Sequence, residues 1–150
     1  MGYAEQLVKN CPVAQAVPPQ NMQLQTGITG TAVSLRQTDH ASVIIQTGAW
    51  DPDTTAAVIV YEDTSVVPTV AKQLIFEKYL TNDANVASST LLETACVGTF
   101  NLDTANAMYV IPIDGDQLDC RLLYDCIRVM IGMAVGQKAS AYVSAMYVLS

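Results

Sequence analysis

Beyond residue 30 the chain alternates apolar and polar residues in short runs closed by Gly, Pro, Asp or Asn. Such alternation turns one face of an extended strand to a core and the other to solvent. It predicts strands over residues 31–35, 42–47, 56–61, 73–79, 107–113, 124–131 and 140–149. Residues 90–95 and 97–102 read as a short pair about Gly98, and 82–89 as a loop. Within 73–79, Leu74 and Phe76 share one face and Ile75 takes the other. Asp51-Pro52-Asp53 after Trp50 supplies a turn, since Pro fixes φ and Asp bonds nearby backbone. Pro112 cannot donate to a ladder, so its strand needs an edge position or a bulge there. The expected fold is all-β, a single β-sandwich or jelly-roll-like domain of about eight strands over residues 31–150.

The last run has a further property. Ala141, Val143, Ala145, Tyr147 and Leu149 alternate with Tyr142, Ser144, Met146 and Val148, so both faces turn apolar toward its end. A strand covered on both faces belongs in the middle of a sheet or at an interface. Tyr142, Met146 and Tyr147 are therefore candidate subunit-interface residues.

Residues 1–30 follow a different pattern. Residues 3–10 suit a short helix, with Tyr3 and Leu7 four apart on one face, and Pro12 ends it. Val17-Pro18-Pro19 favours an extended, polyproline-like path, and residues 20–30 are polar. This segment cannot build a core. It reads either as a disordered leader or as an extended N-terminal arm that orders on a partner, anchored by Tyr3, Leu7, Val8 and Val13.

Composition narrows the function. Only 14% of the 150 residues are charged, which leaves much of the surface neutral and cheap to desolvate when a neighbour covers it. Net charge is −7, and the basic residues are scattered, so no patch neutralises a run of phosphates and nucleic acid is not an expected partner. No apolar run spans a membrane, and the N-terminus lacks the apolar core of a signal peptide, which points to an intracellular site of synthesis. Cys11, Cys96, Cys120 and Cys126 have no CxxC spacing and read as free thiols used mainly as small apolar residues.

Catalytic signals are sparse. The single histidine, His40, precedes a strand with no nucleophile motif to serve. One His and four dispersed Cys make no zinc pattern, and no glycine-rich loop continues into Lys-Ser/Thr. Asp114, Asp116 and Asp125 have part of the spacing of a calcium loop. Leu118 and Asp119 stand where that loop needs a ligand and a glycine, so the segment reads as a tight turn. No enzyme activity, cofactor or metal is expected.

Several phrases together resemble a known family. They are Asp39-His40-Ala41-Ser42-Val43-Ile44-Ile45-Gln46-Thr47-Gly48-Ala49-Trp50 and Phe100-Asn101-Leu102-Asp103-Thr104-Ala105-Asn106-Ala107-Met108-Tyr109-Val110-Ile111. Leu118-Asp119, Tyr124-Asp125-Cys126-Ile127-Arg128-Val129 and the ending Tyr147-Val148-Leu149-Ser150 continue the pattern. Over residues 31–150 the chain is similar to small structural proteins of tailed bacteriophages, departing at residues 120–123, where a more polar turn is usual. The resemblance implies a head decoration, or cement, protein. Such a protein forms a homotrimer, binds the major capsid protein on the outer surface of the virion shell and reinforces it. Two alternatives accompany it: a tail or head-completion component, or a carbohydrate- or receptor-binding β-sandwich using Trp50 and Tyr142 as ring platforms.

Overall fold

The computed structural model describes residues 11–23, 26–67, 71–82, 91–133 and 140–150. Among the described residues twelve strands are formed: β1 (Val13–Asn21), β2 (Gly27–Thr29), β3 (Val33–Ser34), β4 (His40–Trp50), β5 (Ala56–Asp63), β6 (Lys72–Leu74), β7 (Lys78–Asn82), β8 (Leu92–Ala95), β9 (Thr99–Leu102), β10 (Met108–Asp114), β11 (Cys126–Met133) and β12 (Ala141–Leu149). Two short 3-10 turns, Gly115–Gln117 and Cys120–Leu122, lie between β10 and β11. Among the described residues no helix is long and apolar enough to cross a membrane.

The strands form two antiparallel sheets. The first runs β1-β12-β4-β10-β7-β8. The second runs β2-β11-β5-β6, with β3 also pairing β11 and β9 also pairing β5. If β2 with β3 fill one position and β6 with β9 another, rows of four strands face each other. With the β7–β8 hairpin set aside, successive positions then change sheet except from β5 to β6. That is the strand order of a jelly roll. The hairpin β7–β8 interrupts the β6/β9 position and extends the first sheet beyond β10.

The expected sandwich is therefore present, and the boundary of the arm moves. Residues from Val13 onward are not an arm: Val13–Asn21 pairs with β12, and Ala16, Val17 and Met22 are buried in the core. Pro18 and Pro19 are tolerated because β1 is an edge strand whose register shifts between Gln15 and Val17 and again between Val17 and Gln20. Pro112 shows the same logic: β10 pairs with β4 along its length but with β7 only over Met108–Val110, so Pro112 has a partner strand on one side.

Residues 73–79 are not one strand. The chain turns a corner after Leu74, leaving the second sheet and entering the first at Lys78, while residues 96–98 make the return. Gly98, at φ +69°, donates its N–H to the Phe76 carbonyl at 2.8 Å, and Cys96 donates to Glu77 at 2.8 Å. Thus β8 and β9 do not pair with each other: β8 pairs with β7 and β9 with β5. Burial still alternates through the corner, with Leu74 and Phe76 inside and Ile75 outside, as the sequence pattern predicts.

The core is built from the alternating inward positions of both sheets. Val43, Ile45, Ile111 and Ile113 come from the first; Val58, Val60, Ile127, Val129 and Ile131 come from the second. Each such side chain contributes roughly 1.5–3 kcal/mol by leaving water. Stacked rings close the corner side, with Tyr79 and Phe100 centroids 4.0 Å apart and Phe100 and Tyr109 5.6 Å apart.

Candidate functional site

The outward face of the first sheet departs from the usual rule. An antiparallel sheet with one solvated face normally turns polar residues outward. Here Met146 on β12 pairs with Ile44 on β4, Ile44 with Val110 on β10, and Val110 with Leu80 on β7. All four are half-buried and outward. Beside this row lie Val13, Val148, Ser42 and Pro112, and on its other side Ser144, Gln46, Met108 and Asn82. Where the first row reaches β8 it meets Glu93, which accepts from Lys78 at 3.1 Å. Lys78, which falls in the Pro112 row, and Glu93 are the ionisable side chains there, paired with each other at the β7–β8 end. Four strands about 4.8 Å apart and three rows about 7 Å apart cover on the order of 400 Å².

Tyr142 and Met146, expected at an interface, both belong to this face, and Tyr142 is 48% exposed. Opposite Tyr142 the pairing of β12 with β4 is irregular, and Gly48 passes so close that a Cβ there would sit 3.1 Å from the Tyr142 Cβ. A hollow of about 240 Å³ lies beside the ring, lined by Pro19, Gln20, Gln46 and Ser144 among others. Tyr147 is not an interface residue. It is fully buried, because its position on β12 is one of the inward set, and its hydroxyl bonds across the core. Val13 is 64% exposed at the start of β1, while Tyr3, Leu7 and Val8 lie outside the described residues. Trp50 is half-buried against the core and donates its indole N–H to the Thr54 carbonyl at 2.8 Å.

A second region lies at one end of the sandwich, where the loop before β4 meets the loop between β10 and β11. A cleft of about 610 Å³ opens there, lined by His40, Asp114, Asp116, Cys120 and Asp125 among others. The register pairs His40 with Asp114, and His40 Nδ1 lies 2.6 Å from Asp114 Oδ1. Arg36 bonds Asp125. Burial pushes the Asp125 carboxyl up, but hydrogen bonds from Arg36 and Cys126, with the Arg36 charge, hold the group below its usual range. Asp114 and Asp125 thus serve different partners. Gln117 Oε1 accepts the Asp114 N–H at 3.0 Å, which is turn chemistry. Among the described residues no group of three His, Cys, Asp or Glu side chains is arranged to hold a metal ion.

His, Asp and Cys in one cleft invite comparison with a nucleophilic triad. The His40 and Asp114 side chains are 61% and 59% exposed, so the pair lacks the dry setting in which an orienting acid fixes a base. The Cys120 thiol donates to the Gly115 carbonyl at 3.6 Å. Cys126 is buried, and burial is the main reason its thiol is pushed up to about 11. The sequence could not pair His40 with Asp114, because seventy-four positions separate them and only the β4–β10 register brings them together.

No family model matches this chain, and no curated protein matches it. Among solved structures, one of infectious bursal disease virus, Gx strain, aligns with 93% of this chain at 9% identity and a TM-score of 0.29. The chain spans 41% of the length of that chain. At that score the likeness assigns no function.

Proposed function

We propose that this protein is a virion structural subunit, a head decoration or cement protein of a tailed bacteriophage. In this reading it binds the major capsid protein on the outside of the shell as a homotrimer and works without cofactor or chemistry. The observation that carries the reading is the largely apolar outer face of the first sheet, centred on Met146, Ile44, Val110 and Leu80, with its charges confined to the Lys78–Glu93 pair at one edge. A face of that kind costs little to desolvate and gains when a neighbouring protein covers it. The strand order adds support, since jelly rolls serve in capsids as well as in lectins and cupins, although a fold alone does not choose among them. The net charge of −7 favours the outside of a shell over contact with packaged nucleic acid. The resemblance over residues 31–150 supplies the tailed-phage setting. Tail and head-completion roles share that setting and differ in the assembly formed.

The deciding experiment mixes the purified protein with shells that lack it and sediments them. Saturable co-sedimentation at a fixed ratio to the major capsid protein supports the reading; no association at micromolar concentration overturns it. The hollow beside Tyr142 favours a second reading, glycan binding, because an exposed ring flanked by amide and hydroxyl groups suits a sugar. Saturable binding of neutral oligosaccharides that Tyr142→Ala abolishes would favour that reading.

A further inference from the structure

The loop between β10 and β11 presents a dipeptide that stability does not explain. Leu122 and Leu123 are 61% and 74% exposed. Leu123 also has φ +66° and ψ +22°, in the left-handed region where its Cβ crowds the next carbonyl. Glycine or asparagine would occupy that position with less strain and without exposing an apolar side chain. Strain of this sort persists only where the surroundings impose it, and it clusters where something binds.

The surroundings are firm. Leu122 and Leu123 donate their N–H groups to Asp119 and Cys120 at 3.0 and 3.1 Å. The Asp119 N–H is held by the Glu62 carboxylate at 2.9 Å. Lys72 lies 3.2 Å from Asp119 and stands over the Tyr124 ring. The leucines are thus presented at a fixed angle, which lowers the ordering cost of docking. Val66 and Val67, 52% and 69% exposed, sit in the loop that follows β5, the strand that carries Glu62. The border of the tip is acidic: Asp39, Asp114, Asp116, Asp119 and Asp125 lie at this end. Of the cations there, Arg36 is paired with Asp125, Lys72 with Glu62 and Asp119, and Arg121 stands in the tip beside Leu122, so the acids outnumber the cations without excluding them.

We propose that the Leu122–Leu123 tip is a docking knob. It enters an apolar pocket on a protein partner whose rim carries Lys or Arg. The acidic border supplies the complement to that rim and disfavours an anionic membrane. The inference rests on the shell-binding reading and deepens it, because it names the end of the sandwich that faces the shell.

The test uses the full-length protein, shells lacking it, and the variants Leu123→Gly and Leu122→Ser. Leu123→Gly relieves the left-handed strain, so its Tm is unchanged or higher, while its affinity for shells falls about tenfold or more, as expected of an anchor residue. Leu122→Ser weakens binding similarly and leaves Tm within a degree or two. A merely structural loop would not give higher stability with weaker binding. Wild-type protein that binds shells with both variants binding equally well overturns the knob alone. A drop of several degrees in the Tm of Leu123→Gly overturns it too, by making Leu123 a packing residue. Wild-type protein that fails to bind shells overturns the parent reading and the knob together. Capture by vesicles of mixed phosphatidylserine and phosphatidylcholine, lost in Leu122→Ser, overturns the protein partner in favour of a membrane.

Discussion

The hydroxyl of Tyr147, on β12 of the first sheet, accepts the backbone N–H of Val129, on β11 of the second, at 3.0 Å. The same hydroxyl donates to the Thr31 carbonyl at 2.8 Å. Val129 occupies a gap in its own ladder: β2 pairs with Met130 to Gly132 and β3 with Cys126 and Ile127. The Tyr147 hydroxyl and the Gly30 N–H, which reaches the Val129 carbonyl at 2.8 Å, fill that gap. Tyr147→Phe keeps the packing and strands a buried donor. It is expected to lower unfolding free energy by about 1–3 kcal/mol, measured by urea denaturation at pH 7.

The same buried phenol makes stability fall in alkali. Burial is the main reason its ionisation is pushed up to about 12, against an ordinary value of 10.0. The folded state thus holds a proton that the unfolded chain releases first. Its contribution is complete below pH 10, declines as pH rises above that, and is gone above about pH 12. About 2–3 kcal/mol is at stake. Urea midpoints from pH 8 to 11.5 should fall more steeply for the wild type than for Tyr147→Phe. Cys126, held near 11 mainly by burial, adds a decline of the same sign that both proteins share.

Gly98 turns the corner between the sheets at φ +69°. A Cβ there would lie 2.9 Å from Ile75 Cδ1, the movable end of a side chain that is 54% exposed. The backbone conformation therefore dominates the cost. Gly98→Ala is expected to destabilise by about 1–2 kcal/mol and Gly98→Asn by less, since asparagine tolerates this region. Thermal melts of the two variants side by side check the order.

These residues mark where the sequence pattern informs and where it stops. The strands β4, β5, β10, β11 and β12 were legible because each has one face on a solvent-free core and alternates accordingly. The strand β1 was hidden because Pro18 and Pro19 argue against a ladder, and an edge strand with register shifts escapes that argument. The corner at residues 75–77 left no mark, since burial alternates straight through it. For the candidate interface, the apolar outward positions of β12 were visible in Met146 and Val148. Their continuation through Ile44, Val110 and Leu80 depends on register across three more strands, which one sequence does not contain. Tyr147 was misassigned for a related reason: an apolar residue with a polar tip reads alike at an interface and in a core with a ladder gap to fill.

Glu62 is buried, and its carboxylate holds Lys72 Nζ at 3.2 Å and the Asp119 N–H at 2.9 Å. The Glu62 bond is the first cause of the upward shift in the Lys72 pKa, with Asp119 second. Lys72→Met removes the cation and leaves a buried carboxylate with its backbone donor alone, so Tm should fall clearly. Adding Glu62→Gln should recover much of the loss, because the uncompensated charge goes with it. Additive losses in the double variant would contradict this account of the pair.

The last prediction concerns the outer face of the first sheet. Ile44 and Val110 are directly paired at its centre, half-buried, with Met146 and Leu80 on either side. If this face is a subunit contact, one charge at its centre should prevent association while the free subunit tolerates it, since a half-exposed position leaves the ammonium in water. Ile44→Lys should therefore fold with a Tm within a few degrees of the wild type. It should sediment as a monomer at a micromolar concentration where the wild type sediments as a trimer. Ser42→Lys, one row away, should weaken association less, because a rim charge keeps its hydration. The decisive comparison is sedimentation velocity of the three proteins at matched concentration. Wild type and Ile44→Lys running as the same trimer would remove this face from the assembly, and a wild-type monomer would reject a preformed trimer.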